Sequence, residues 1–115
     1  MRKIEAAMND AILKCQDWKS GNTQVIYSPE RKASYVHLYG HHIATVGETF
    51  VEVYSCGYKT ATTKSRLNAI LAEHGIAGEC IIQRNFKWFV HKLAGYAGSS
   101  PVFVEKEFED GFVFS

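Results

Sequence analysis

The chain is poor in the features that announce a specialised class of protein. Its 115 residues hold only three cysteines and two prolines. Cys15, Cys56 and Cys80 lie far apart with no Cys-x-x-Cys pair, which argues against a disulfide-framed secreted scaffold and predicts reduced, partly buried thiols. No apolar run approaches the roughly 18 residues that a membrane span requires. The basic start Met1-Arg2-Lys3 is not followed by the apolar stretch of a signal peptide. An excess of one charge is missing too. Thirteen Lys and Arg against twelve Asp and Glu leave a net +1, so no global field calls for a nucleic acid or an acidic partner. The expectation is a cytoplasmic protein with no membrane contact.

Motifs for common chemistries are absent as well. There is no GxxxxGK[ST] phosphate loop, no HExxH and no Cys/His finger spacing. Ser99-Ser100 lacks the strand–turn–helix setting of a nucleophile elbow.

What is present is an ordinary globular composition, 46% hydrophobic and 22% charged, at a length that fits one domain spanning 1–115. Ile4, Ala7, Met8, Ala11, Ile12, Cys15 and Trp18 recur at helical spacing. They predict an amphipathic N-terminal helix whose polar face carries Arg2, Lys3, Glu5, Asn9, Asp10 and Lys14, ended at Ser20-Gly21-Asn22. From Thr23 the period becomes two. Strands are expected over Thr23 to Ser28, Ala33 to Tyr39, His42 to Val46 and Phe50 to Tyr54, with turns at Pro29-Glu30, Gly40-His41 and Gly47-Glu48, forming an antiparallel meander.

Cys56-Gly57-Tyr58-Lys59-Thr60-Ala61-Thr62-Thr63-Lys64-Ser65-Arg66-Leu67-Asn68-Ala69-Ile70-Leu71 organises the rest. It leaves a strand, turns at Gly57 and enters a central helix with Leu67, Ile70 and Leu71 inward. Thr62 or Thr63 is the expected N-cap, and His74-Gly75 the helix end. Two further strands, Glu79 to Gln83 and Phe86 to His91, are joined at Arg84-Asn85. Phe86, Trp88 and Val90 share a face, and aromatics on both faces suggest a strand covered on both sides. Ala94 to Pro101 reads as a mobile loop. Strands return at Val102 to Phe108 and Phe112 to Phe114. The fold class expected is α+β: N-terminal helix, antiparallel β-meander, central helix, further antiparallel strands.

Candidate chemistry is sparse. His37, His41, His42 and His91 can ligate metal or shuttle protons only if they converge, and adjacent His41 and His42 on a strand point to opposite faces. Cys56 beside a histidine would make a small His/Cys-dependent enzyme; a thiol ending an apolar strand is ordinarily buried and inert. The sharper grouping is Tyr58, Lys59, Thr62, Thr63, Lys64 and Arg66 at the central helix start, where free amides and the dipole favour an anion. It can serve as an anion or partner contact, or as a capped helix start with solvated basic residues. Glu105, Glu107, Glu109 and Asp110 form an acidic tail, readable as mimicry of a phosphate backbone or as a solvated edge strand. No catalytic residue, metal or cofactor is assigned.

Leu38-Tyr39-Gly40-His41-His42-Ile43-Ala44, the Cys56 to Leu71 run and Gln83-Arg84-Asn85-Phe86-Lys87-Trp88-Phe89-Val90 together resemble small uncharacterised bacteriophage proteins. The shared order is a Gly-x-x-Ile-Ala strand, a threonine-rich connection and a Thr-Thr-Lys-Ser-Arg-Leu-Asn helix start. The resemblance implies a phage accessory protein acting in the infected bacterium. By analogy with small phage proteins, it implies non-catalytic binding of a host protein in takeover or anti-defence. Nucleic-acid or nucleotide-phosphate binding through the central helix start is the alternative.

Overall fold

The computed structural model describes residues 2–115, so Met1 of the basic start lies outside the described residues. The element order is α1 (Lys3–Leu13), β1 (Trp18–Ser20), β2 (Thr23–Ser28), β3 (Ala33–Leu38), β4 (His41–Val46), β5 (Val51–Val53), α2 (Ala61–His74), β6 (Cys80–Arg84), β7 (Lys87–Ala97), β8 (Ser100–Glu107) and β9 (Phe112–Phe114). This is the expected α+β architecture. β1 to β5 form an antiparallel meander, and β9 returns to pair with β5, with Val51 opposite Phe114. β6, β7 and β8 make a second antiparallel sheet.

The alternating pattern of the meander sends one set of side chains inward. Val25 pairs with Val36, Val36 with Ala44, and Ala44 with Val53, all of them buried. A bulge between Val36 and His37 adds Ile43 to the inward set, so Ile43 and Ala44 are both buried although they are neighbours. Met8 and Ile12 from α1 and Leu67, Ile70 and Leu71 from α2 complete this core. Each large aliphatic side chain removed from water contributes about 1.5–3 kcal/mol before entropy is counted. α2 also packs on β6, and Ile81 of β6, together with Trp88 and Val90 of β7, joins the same core.

Several boundaries differ from expectation for local reasons. α1 stops at Leu13, where Cys15 takes a left-handed φ of 54°, and Trp18 begins a strand instead of extending the helix. Gly21 therefore turns β1 into β2 and caps no helix. Glu5 and Asn9, expected on the solvent face of α1, are buried, while Ala7 is exposed. The hairpin between β6 and β7 turns at Asn85 and Phe86, both with positive φ, which throws Phe86 into solvent at 96% exposure. Trp88 and Val90 are buried without it, while Phe89, His91 and Leu93 on the opposite face are half-buried. The segment from Ala94 to Pro101, expected as a mobile loop, is the end of a long β7–β8 hairpin with Ala97 opposite Ser100.

Candidate functional site

Two tight turns of the same kind lie side by side at one end of the meander. Tyr39 and Gly40 link β3 to β4 with φ of 51° and 78°; Cys56 and Gly57 lead toward α2 with φ of 53° and 78°. Consecutive left-handed residues at Tyr39 and Gly40 match the twist of the two strands they join, and in both turns glycine takes the second place without a Cβ penalty. The second turn closes with Tyr58 N donating to Ser55 O at 2.9 Å. Asp110, from the loop before β9, clamps it. Its carboxylate accepts from Ser55 N at 2.7 Å, Ser55 Oγ at 2.9 Å and Cys56 N at 3.2 Å.

Between the turns and the start of α2 is a recess of about 290 Å3. Leu38 and Ile43 supply its apolar wall, and Tyr39, His41 and Tyr58 its aromatic rim, with Thr60 and Thr63 behind. The His41 and Tyr58 rings stand 4.7 Å apart. Tyr39 is 72% exposed and Tyr58 55%. Such a site can receive an apolar or aromatic group between flat rings held by rigid turns.

The expected contact residues separate here. Tyr58 stands at the rim, and Lys59 is exposed with its ammonium 6.0 Å from the Phe108 ring centroid. The N-cap is Thr60, two residues before Thr62 and three before Thr63, because Ala61 already begins the helix. Thr60 Oγ1 accepts from Thr63 N at 3.1 Å. Thr62 is half-buried, and Thr63 is buried with its hydroxyl 3.0 Å from that of Thr60. Lys64 donates to Gln83 Oε1 at 3.1 Å. Arg66 is not a surface cation at all: it is 3% exposed, inside the protein between α1, α2 and β2. The helix start thus presents no gathered set of free cations to an anion.

The histidines also divide. His41 turns to Tyr58, while His42 lies on the outer sheet face, 5.6 Å from His37 and 4.9 Å from Tyr54 between ring centroids. His42 Nε2 is 2.7 Å from Thr45 Oγ1. Burial, with His42 beside it, holds the His37 ring below its ordinary pKa. The Tyr54 hydroxyl donates to Glu52 at 2.7 Å and is pushed up to about 12 by that bond, with burial adding to it. His91 is on the other sheet against Phe103. Among the described residues no group of three or more His, Cys, Asp or Glu is arranged to hold a metal ion.

Neither partly buried thiol is activated. Cys56 Sγ donates to the His42 carbonyl at 2.9 Å, and burial followed by the Asp110 charge raises its pKa. Cys80 lies 3.8 Å from His91 Nδ1, and burial raises it too. Cys15, expected to be partly buried, is exposed. The acidic tail does not form one row, because Asp110 is spent on the turn clamp and Glu105 pairs with Arg84.

Sequence reasoning missed Tyr39 and His41 as rim residues. The available signal was a glycine closing a strand-like run in both Tyr39-Gly40 and Cys56-Gly57, which marks two turns but does not say that they meet.

Among the described residues no helix is long and apolar enough to cross a membrane. No curated protein and no solved structure matches the chain. A family model described as the Kyanoviridae Gp96 protein matches residues 1–115, and the chain therefore belongs to this cyanophage protein family.

Proposed function

We propose that this phage protein acts by binding a host bacterial protein, without catalysis, in takeover or anti-defence, and that the recess at the paired turns is its contact. One observation carries the reading. Tyr39 and Tyr58 are largely exposed on rigid turns beside an apolar recess, and aromatic anchors next to a pocket are the usual centre of a protein contact. Water-facing tyrosine rings bury their apolar bodies on binding and keep their hydroxyls wet at the rim. The competing nucleotide or nucleic-acid reading draws on Lys59 beside Tyr58, which would stack on a base. It loses support because Lys64 and Arg66 are already engaged within the protein.

The experiment is capture of partners by the tagged protein from infected cells, with and without nuclease, repeated for Tyr39→Ala and Tyr58→Ala. The expected result is a host protein retained after nuclease and lost from both variants. Loss of all wild-type partners on nuclease would overturn the reading in favour of nucleic acid, and retention by both variants would remove the recess as the contact.

A further inference from the structure

β8 leaves one strand edge open. It pairs with β7 on one side and with no strand on the other, and every residue except Phe103 is exposed. Among the described residues the other sheet edges are short or blocked. β1 and β9 have three residues each. On β6, the Asn68 amide accepts from Ile81 N at 2.7 Å and donates to Ile81 O at 2.9 Å, as a neighbouring strand would. β8 runs eight residues with no such cover.

The ladder decides which backbone groups face outward. Phe108 N donates to Trp88 O at 2.9 Å, so the Phe108 amide faces β7. Alternate residues of an antiparallel strand turn both N–H and C=O to the same side. Val102, Val104 and Lys106 therefore face β7, and Phe103, Glu105 and Glu107 offer theirs to the open edge. Pro101 shares the outward orientation but has no N–H.

We propose that β8 pairs antiparallel with β8 of a second copy of this chain, about a two-fold axis at Val104. The charges and the proline select this register. An axis at Glu105 sets Glu105 directly against its own copy, and like charges so placed repel. An axis at Phe103 sets Glu105 against Pro101, which can return an acceptor only. An axis at Val104 sets Phe103 against Glu105 of the other copy, each exchanging both of its hydrogen bonds, and moves Pro101 to the end of the ladder opposite Glu107, where the missing N–H costs one bond at the margin. Lys106 lies opposite Val102, no acid stands directly opposite an acid, and each Glu105 is balanced by Arg84 of its own chain. Val104, exposed at 38%, meets its own copy, and Val102, exposed at 43%, lies diagonal to it on the same face. Closure by a two-fold uses up the open edge in both copies, which pairing in a head-to-tail sense does not.

The test is the mass of the full chain in solution by light scattering, with Val104→Lys and two cysteine variants in a Cys15→Ser background. The wild type is expected at twice the chain mass and Val104→Lys at the single mass with an unchanged far-UV spectrum. Val104→Cys should form an interchain disulfide on mild oxidation, since opposed residues outside the hydrogen-bonded pairs bring Cα atoms to about 4.5 Å, inside the disulfide range of about 4.4–6.8 Å. Lys106→Cys should not. A wild type at single mass, or cross-linking through position 106 and not 104, would overturn the proposal. The cysteine pair decides the matter even where Val104→Lys fails to fold.

Discussion

Arg66 and Glu5, 61 residues apart in the chain, meet at 2.8 Å with each side chain only 4% exposed. The contact ties α2 to α1. Arg66 also donates to Thr23 Oγ1 at 3.0 Å, which adds β2, while Ser65 Oγ donates to Glu5 at 2.6 Å. A guanidinium and a carboxylate taken out of water need these partners, because either one left alone is an uncompensated buried charge.

Removing one partner should therefore be costly. Arg66→Met is expected to lower stability by about 3–5 kcal/mol, and the double change Glu5→Leu with Arg66→Met to recover much of that loss. Urea denaturation midpoints of the three proteins check it. Recovery would show that the pair orients the helices more than it stabilises them.

Acid should act through the same pair. Burial raises the Glu5 carboxyl, but the Ser65 and Arg66 hydrogen bonds and the Arg66 charge outweigh it and leave the pKa lowered. A folded pKa below the unfolded one gives stability that is present above the ordinary carboxylate range and lost as pH falls through the folded value. Denaturation midpoints measured from neutral to acid pH should fall less steeply for Glu5→Gln than for the wild type.

His74 predicts a second pH response, in a higher window. Its Nε2 is buried and has no hydrogen-bond partner among the described residues. Burial holds its pKa below the usual value, partly opposed by the Glu73 charge. The unfolded chain then binds the proton first, so His74 lowers stability as pH drops below about 6.5, the unperturbed histidine value. Between neutrality and the carboxylate range, His74→Gln should show a flatter stability profile than the wild type.

The turn beside the recess depends on Asp110. Asp110→Ala leaves the donors of Ser55 and Cys56 without their acceptor, at a cost of about 1–3 kcal/mol where the donors stay buried. The midpoint shift measures this. A loss of partner capture in Asp110→Ala, with the fold retained, would show that turn geometry sets the contact.

Thr60 and Thr62 separate cap from surface. Thr60→Ala should cost about 1 kcal/mol through loss of the N-cap bond. Thr62→Ala is expected to change the melting midpoint little, since Thr62 sits within the first turn and carries no cap.

The helices and most strands were legible because their periodicity is local. Leu67, Ile70 and Leu71 make an inward stripe at any neighbour's expense, and Val36 with Leu38 must share a strand face. The polar positions were not. Glu5 and Asn9 occupy the side of α1 that reads as solvated, and become interior only because α2 brings Arg66 and the Ala69 carbonyl against them. Thr60 outcompeted the two threonines after it because the chain is still extended there, at ψ 163°.

Sequence alone determined the α+β order, the core stripes and the likeness to phage proteins, since side-chain period and turn chemistry act between near neighbours. Tertiary structure decided which charges are buried and which aromatics stand beside the recess. Arg66 is a surface cation until Glu5 arrives from the other end of the chain, and Tyr39 and Tyr58 form one rim only once the sheet has set their two turns side by side. Those pairings depend on strand register and helix docking, which no stretch of the chain encodes by itself.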